Sequence, residues 1–360
     1  MDIKVLVVDD SVVVRRSVVA CVDRQEGMSV VGTASNGWRG LERIEQTSPD
    51  VVVLDIEMPD LDGLATLKHL RARWPRLPVI MYSTLTDSGA TATIEALSRG
   101  ASDYATKPSG LGDRGAVTTH IENTLVPLIR LWAGRGATTS SAAATSVSSA
   151  PGASARRPRQ VATVELVVIG CSTGGPDALA KLVPALPATL AVPVVIVQHM
   201  PPVFTSMLAQ RLDRLSPLKV SEGVHGEPVE RGHVYIAPGG RHTAVRGSLS
   251  ALVLEMNDDP AENSVRPAVD VLFRAAAGVG RGAVLATVLT GMGQDGLVGT
   301  RAIRAAGGTV YAQDEASSVV WGMPGFVARE GLADAVLALR DIAGAITTAV
   351  SGRVRAGVGR

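Results

Sequence analysis

The chain has 360 residues, 46% of them apolar, with a formal net charge of +1. That length exceeds one ordinary core and predicts two domains, and the near-neutral charge gives no field for nucleic acid or a lipid surface. Two cysteines in apolar surroundings, Cys21 and Cys171, argue against a disulfide framework, and the start M-D-I-K-V-L-V-V-D-D carries neither a signal segment nor a spanning run, so a cytoplasmic protein is expected.

Residues 1–131 alternate strand-like and helix-like segments. Strands are expected at Ile3–Val8, Met28–Thr33, Val51–Leu54, Val79–Tyr82 and Ser102–Ala105, with helices near 11–24, 37–47, 63–73, 88–99 and 114–131. The strands are near-continuous apolar runs, as parallel strands covered on both faces should be. This (βα)5 order predicts a doubly wound parallel sheet. Asp9 and Asp10 end the first strand and Asp55 the third. In a parallel sheet those ends share one edge, where ligands bind. Three carboxylates there repel one another unless a hard cation neutralises them, and oxygen ligands suit Mg2+. Ser83 ends the fourth strand and Lys107 follows the fifth, a hydroxyl and an ammonium able to bind the oxygens of a phosphoryl group on Asp55. The competing reading gives Asp9 and Asp10 to the N-cap of the helix Ser11–Arg24. Suitable residues at four strand ends favour the acceptor site.

V-L-V-V-D-D, the L-D-I-E-M-P-D-L-D-G around Asp55, Ser83 and T-K-P at Lys107 resemble response-regulator receiver domains. The resemblance implies Asp55 as the phosphoacceptor from a histidine kinase. It implies Mg2+ held by Asp9, Asp10 and Asp55, with the backbone carbonyl of Glu57. It makes Ser83 and Tyr104 the switch pair that registers the added charge.

Residues 132–160 form the expected linker. From 133 to 160, 22 of 28 residues are Ala, Gly, Ser, Thr or Pro and none is acidic, the composition of a flexible tether. Its end, Arg156-Arg157-Pro158-Arg159, reads first as solubilising and second as a docking patch.

Residues 161–352 begin a second α/β pattern. Strands are expected at 164–169, 194–198, 233–236 and 283–289, with shorter ones near 243–254 and 308–312. Helices are expected at 176–184, 203–214, 267–277, 295–305 and 335–350. The turn G-C-S-T-G-G-P at 170–176 follows the apolar run Val164–Ile169. It sets Ser172 at the tip of a sheet with backbone N–H groups beside its hydroxyl, as a serine nucleophile requires. Taken alone, the turn is equally a phosphate cradle or a tight strand-to-helix corner. His199 follows Val194–Val197, and Asp295 lies in L-T-G-M-G-Q-D-G beyond Ala283–Leu289. Three strand ends thus deliver a hydroxyl, an imidazole and a carboxylate to one edge. Its strand-end place in Q-H-M-P-P sets His199 apart from His69 and His120, expected on the surface of receiver helices, and from His225, His233 and His242 in turn-rich or strand-edge segments. Asp295 has a competing role as N-cap of the helix from near Gly296. Cys171 faces away from Ser172 and is expected to pack as a small apolar residue.

I-G-C-S-T-G-G-P-D-A-L, V-I-V-Q-H-M, Y-I-A-P-G-G-R-H, R-P-A-V-D-V-L-F, L-T-G-M-G-Q-D-G and A-Q-D-E-A-S-S-V-V-W-G-M-P run in order over 169–324. Together they resemble the catalytic domain of chemotaxis protein-glutamate methylesterases, in which Ala commonly stands at the position of Cys171. The resemblance implies Ser172 as nucleophile, His199 as base then acid, and Asp295 as the group that orients His199. Thr173 and the backbone N–H of Met292 would line the oxyanion site, with no cofactor in this half. It further implies glutamyl γ-methyl esters and some glutamine amides of chemoreceptors as substrates, in a monomer controlled by phosphorylation. The expected fold class is α/β throughout: a doubly wound (βα)5 receiver domain, then a doubly wound, mostly parallel hydrolytic domain. A binding-only output is disfavoured by the complete set of Ser172, His199 and Asp295. A DNA-binding output is disfavoured by the lack of a concentrated basic face, and a generic esterase by the receiver in front.

Overall fold

The computed structural model describes residues 2–108, 114–138 and 163–352. They fall into two units. In the first, the order is β1 (Ile3–Val8), α1 (Val12–Val22), β2 (Met28–Ala34), α2 (Gly37–Thr47), β3 (Val51–Asp55), α3 (Gly63–Arg73), β4 (Val79–Ser83), α4 (Asp87–Ser98), β5 (Asp103–Thr106) and α5 (Arg114–Thr138). The strands pair in parallel in the order β2-β1-β3-β4-β5. Successive strand residues point to opposite faces, and both faces are covered. Val5, Val7, Val51, Val53, Ile80 and Tyr82 pack with Val18 of α1 and Ile121 and Leu125 of α5. Leu6, Val8, Val52, Leu54, Val79 and Met81 pack with Leu41 of α2, Leu67 and Leu70 of α3 and Ala96 of α4.

Short polar side chains start the helices, satisfying N–H groups that have no intrahelical acceptor. Asn36 accepts from Arg39 N, Asp62 from Ala65 N and Thr86 from Gly89 N. The cap of α1 is Ser11, whose Oγ accepts from Val14 N at 3.4 Å. The capping role weighed for Asp9 and Asp10 therefore falls to their neighbour, and both carboxylates stay at the sheet edge. α5 runs on to Thr138, past the end expected at 131. Ala133 is buried against the sheet face, with Trp132 partly so, which holds the helix together where composition alone reads as a tether. The rest of that tether, from 139 to 160, lies outside the described residues.

The second unit runs β6 (Leu166–Cys171), α6 (Gly175–Leu182), β7 (Val194–Gln198), α7 (Phe204–Leu215), β8 (Lys219–Glu222), β9 (His233–Ile236), β10 (His242–Ser248), β11 (Ala251–Asn257), α8 (Val269–Gly280), β12 (Val284–Val288), α9 (Leu297–Ala305), β13 (Thr309–Gln313), α10 (Met323–Arg329), β14 (Ala335–Leu337) and α11 (Leu339–Val350). Seven strands form a wholly parallel sheet in the order β14-β13-β12-β6-β7-β9-β8, and β10 and β11 make a separate antiparallel hairpin. The hairpin replaces the short strand expected over 243–254. β8 has no apolar run to announce it, and α10 was likewise not expected. The segment read as helix 335–350 begins with the edge strand β14, where Tyr311, Ala312 and Gln313 of β13 offer a ladder to pair with. β6, β7 and β12 are buried at every residue and lie side by side at the centre. The chain leaves β6 for β7 on one side and reaches β12 on the other, so their ends meet where strand order reverses, the usual ligand crevice of such sheets. Among the described residues no helix is long and apolar enough to cross a membrane.

Candidate active site and acidic cluster

Ser172 and His199 follow directly from β6 and β7. Their strands pair Cys171 with Gln198, and His199 N donates to Cys171 O at 3.1 Å. Ser172 N donates to Thr290 O at 3.0 Å, which ties the serine turn to the segment after β12. The buried amide of Gln198 joins the two segments again, its Nε2 donating to Ser172 O at 3.0 Å and to His199 O at 3.2 Å. From the far side His199 Nε2 meets Asp295 Oδ2 at 2.7 Å.

Asp295 does not cap its own helix. The N-cap of α9 is Gly296, which offers no side chain. Asp295 caps α8 instead: Oδ2 accepts from Val269 N at 2.6 Å and Oδ1 from Asp270 N at 3.0 Å. Gly296 N at 2.9 Å and Asn263 Nδ2 at 3.0 Å also donate to Oδ1. Burial works to raise the pKa of this carboxylate. The hydrogen bond and charge of His199, with the N–H groups of Val269 and Asp270, outweigh it and hold the group below the ordinary carboxylate value. An anion at Oδ2 keeps the proton on His199 Nε2 and leaves the lone pair on Nδ1.

The turn after β6 gathers backbone donors. Gly174 sits at φ +77°, and Gly175 N closes onto Ser172 O at 2.7 Å. The N–H groups of Thr173 and Met292 make no hydrogen bond among the described residues. The carbonyl of Thr173 is held by Thr290 Oγ1 at 2.9 Å. Gly291 is a close-approach position: a Cβ there would lie 2.9 Å from Ser172 Cβ and 2.3 Å from Met323 Sδ. Ser172 is half-buried, and among the described residues its Oγ makes no hydrogen bond. Cys171 is fully buried, and burial pushes its thiol well above the ordinary value, so it packs and does not react at neutral pH.

The remaining histidines stand apart. His69 and His225 are exposed. His120 is partly buried instead of surface-lying, its Nε2 2.7 Å from Thr106 O. His233 and His242 are buried, bonded to Ser221 Oγ and Pro260 O respectively.

In the first unit, Asp9, Asp10 and Asp55 bring carboxylate oxygens within 4.8 Å of one another. Asp9 and Asp55 are buried and Asp10 is exposed. Lys107 Nζ lies 2.7 Å from Asp55 Oδ2 and 2.9 Å from Asp9 Oδ2. Burial, then the charge of Asp9, pushes Asp55 up to about 6 against the pull of Lys107. Burial raises Asp9 as well. Asp9 Oδ2 is buried and accepts no aligned hydrogen bond, having only the Lys107 ammonium for company. An all-oxygen donor set, surplus negative charge and an under-satisfied buried oxygen fit a hard divalent cation.

A recess of about 260 Å³ opens here, lined among others by Asp10, Asp55, Glu57, Ser83 and Lys107. The Glu57 side chain turns away to Ser88 Oγ, 3.3 Å. Ser83 is buried with its Oγ 2.8 Å from Thr93 Oγ1 on α4. Thr93 Oγ1 is the donor to Ser83 Oγ and also lies 2.7 Å from Gly89 O, so its one proton is shared between two acceptors. Tyr104 is half-buried on β5, packed with the α2–α4 side of the core.

Sequence reasoning missed Gln198, Thr93, Asn263 and Asp270. Asp270 stands in the quoted stretch R-P-A-V-D-V-L-F, which gave a signal without a role. Asn263, in D-D-P-A-E-N-S, follows no periodic pattern.

Comparison with known proteins places these sites in context. A family profile described as CheB methylesterase matches residues 167–346, and one described as response regulator receiver domain matches residues 5–115. A protein-glutamate methylesterase/protein-glutamine glutaminase of Trichodesmium erythraeum is 46% identical over 343 residues, covering 94% of this chain and 97% of its own. One of the same description from a Nocardioides species is 46% identical over 342 residues, covering 94% and 93%. The solved CheB methylesterase catalytic domain of Thermotoga maritima is 43% identical, covers 52% of this chain and 98% of its own, and superposes with a TM-score of 0.50.

Proposed function

This chain belongs to the CheB methylesterase family, with a response-regulator receiver domain ahead of the catalytic domain, and from that membership we propose that Ser172, His199 and Asp295 hydrolyse its substrate through an acyl-enzyme. Its activity is that of a protein-glutamate methylesterase and protein-glutamine glutaminase, regulated through the receiver. The bond of His199 Nε2 to Asp295 beside the Ser172 turn is the observation that carries the residue roles.

Ser172 Oγ attacks the γ-carbonyl carbon of a glutamyl methyl ester while His199 Nδ1 takes its proton. The oxyanion forms against the free N–H groups of Thr173 and Met292. Asp295 stays ionised and stabilises the imidazolium through Nε2. The tetrahedral species collapses, the C–O bond to the methoxy group breaks, and His199 returns its proton to give methanol. Water, deprotonated by His199, then opens the acyl-enzyme and restores Ser172. With a glutamine amide the leaving group is ammonia. The substrates are side chains of methyl-accepting chemoreceptors.

In the receiver, Asp55 accepts a phosphoryl group from a histidine kinase. Asp9, Asp10 and Asp55, with the backbone carbonyl of Glu57, would hold Mg2+, which supplies charge neutralisation for the acids and the phosphoryl oxygens. Lys107 and Ser83 sit within the same recess to bind those oxygens. Drawing Ser83 toward them breaks its bond to Thr93 and loosens α4, with Tyr104 on the neighbouring strand as the second switch residue.

The test is methanol release from methylated receptor membranes by the full chain and by Ser172→Ala. The variant is expected to lose nearly all turnover; near-normal release would overturn the nucleophile assignment.

A further inference from the structure

Asn263 is an exposed loop residue that reaches into the most protected part of the catalytic unit. Its single Nδ2 donates to Asp295 Oδ1 at 3.0 Å and to Asp270 Oδ2 at 3.1 Å. Both carboxylates are 2% exposed. They also cross-link two helices. Asp295, just ahead of α9, accepts from the first N–H groups of α8, and Asp270, in the first turn of α8, accepts from Gly299 N of α9 at 2.6 Å. Each helix start is thus held by an acid from the other, with one amide between the acids. Like charges this close repel, and among the described residues the Asn263 amide is the one side chain that donates to both.

The backbone beneath that amide is specialised. Asn263 and Ser264 sit at φ +52° and +64°, and Val265 N donates to Glu262 O at 2.9 Å, closing a tight turn. Two consecutive left-handed residues define the primed turn, where Gly and Asn are the least strained choices. Asparagine suits the first of these positions, and the turn aims its amide at both acids.

We propose that Asn263 is a positioning residue for the hydrolysis, holding Asp295 Oδ1 so that Oδ2 stays aimed at His199 Nε2, with Asp270 as the fixed second anchor of its amide. The inference rests on the assignment of Ser172, His199 and Asp295 above. Removing the donor frees Asp295 to turn. Oδ2 then loses its aim at His199 Nε2, and the imidazole is no longer held in one orientation.

The decisive variant is Asn263→Gly, which keeps the left-handed backbone and deletes only the amide. In methanol release from methylated receptor membranes, kcat is expected to fall about 10- to 100-fold, the scale found when outer groups that orient reactive ones are removed. KM should hold, so that the loss falls on kcat alone, with a modest drop in melting temperature as two bonds to buried acids are lost. A purely structural turn predicts unaltered kinetics whatever happens to stability. If Asn263→Gly melts early, Asn263→Asp decides. It is nearly isosteric and tolerates the same backbone but replaces the donor with a third carboxylate, and its loss should be at least as large. Wild-type kinetics in either folded variant, alongside an inactive Ser172→Ala, would overturn the positioning role alone. Activity in Ser172→Ala would instead remove the assignment on which it rests.

Discussion

His199 and Asp295 stand 96 positions apart in the chain and meet at 2.7 Å, with the carboxylate held by three backbone N–H groups from two helix starts. An acceptor so fully bonded cannot be replaced by an amide without turning a donor toward a donor. Asp295→Asn is therefore expected to shift the imidazole proton to Nδ1, the atom that has to receive the Ser172 proton. Turnover should fall by about 10³- to 10⁴-fold while the fold persists. A loss smaller than tenfold in the methanol assay would show that His199 does not depend on this carboxylate.

The same bonds set a pH dependence of stability. The partners of Asp295 hold its folded pKa below the ordinary carboxylate value of 3.8. Its contribution is fully present above the unfolded value and is lost as pH falls through the folded one. Denaturant titrations of wild type and Asp295→Asn should thus differ most at neutral pH and converge below about pH 4. A gap that is constant with pH would mean that the ionised form has no preferred partner in the folded state.

Gly291 separates the serine turn from α10. Because a Cβ there would sit 2.3 Å from Met323 Sδ and 2.9 Å from Ser172 Cβ, Gly291→Ala must push either the methionine or the serine. Displacement of a reacting atom by about 1 Å costs roughly a hundredfold in rate. The expected result is a large drop in kcat with the receiver's response to phosphodonor still detectable on what remains. Full activity would show that Met323 alone yields.

At the acidic cluster, burial and the charge of Asp9 raise Asp55 to about 6, so its ionised form is disfavoured in the fold. The sign follows: folding gains as pH falls from neutrality toward the unfolded value of 3.8, because the folded state then holds the proton more tightly. Asp55→Asn should raise the melting temperature of the receiver transition at pH 7 to 8. The same substitution should abolish stimulation of methanol release by a small phosphodonor while leaving basal release intact. Chelation with EDTA should likewise remove stimulation and spare basal hydrolysis. Stimulation that survives either treatment would break the link between Asp55 and the esterase.

Much of this was legible in order along the chain. Apolar runs such as Val51–Leu54 and Val194–Val197 appear as parallel strands because a strand buried on both faces has no polar face to alternate with. Asp9, Asp55, Ser172 and His199 were readable for the same reason, since each ends such a run. β8 was not, because Lys219–Glu222 lies at the sheet edge, where burial asks little of sequence. The extension of α5 escaped notice too: Trp132 and Ala133 are apolar, but only their packing in the folded unit shows that they are covered.

The sequence by itself determined the two α/β patterns, the strand ends that carry reactive groups, and the family those motifs resemble, because local burial and turn chemistry leave periodic marks. Tertiary structure alone decided what Asp295 does with its five hydrogen bonds, which nitrogen of His199 remains open, and that Asn263 spans two buried acids. Those outcomes depend on helix starts brought together from distant parts of the chain. A carboxylate takes whichever donors packing presents, and no spacing along the chain encodes that choice.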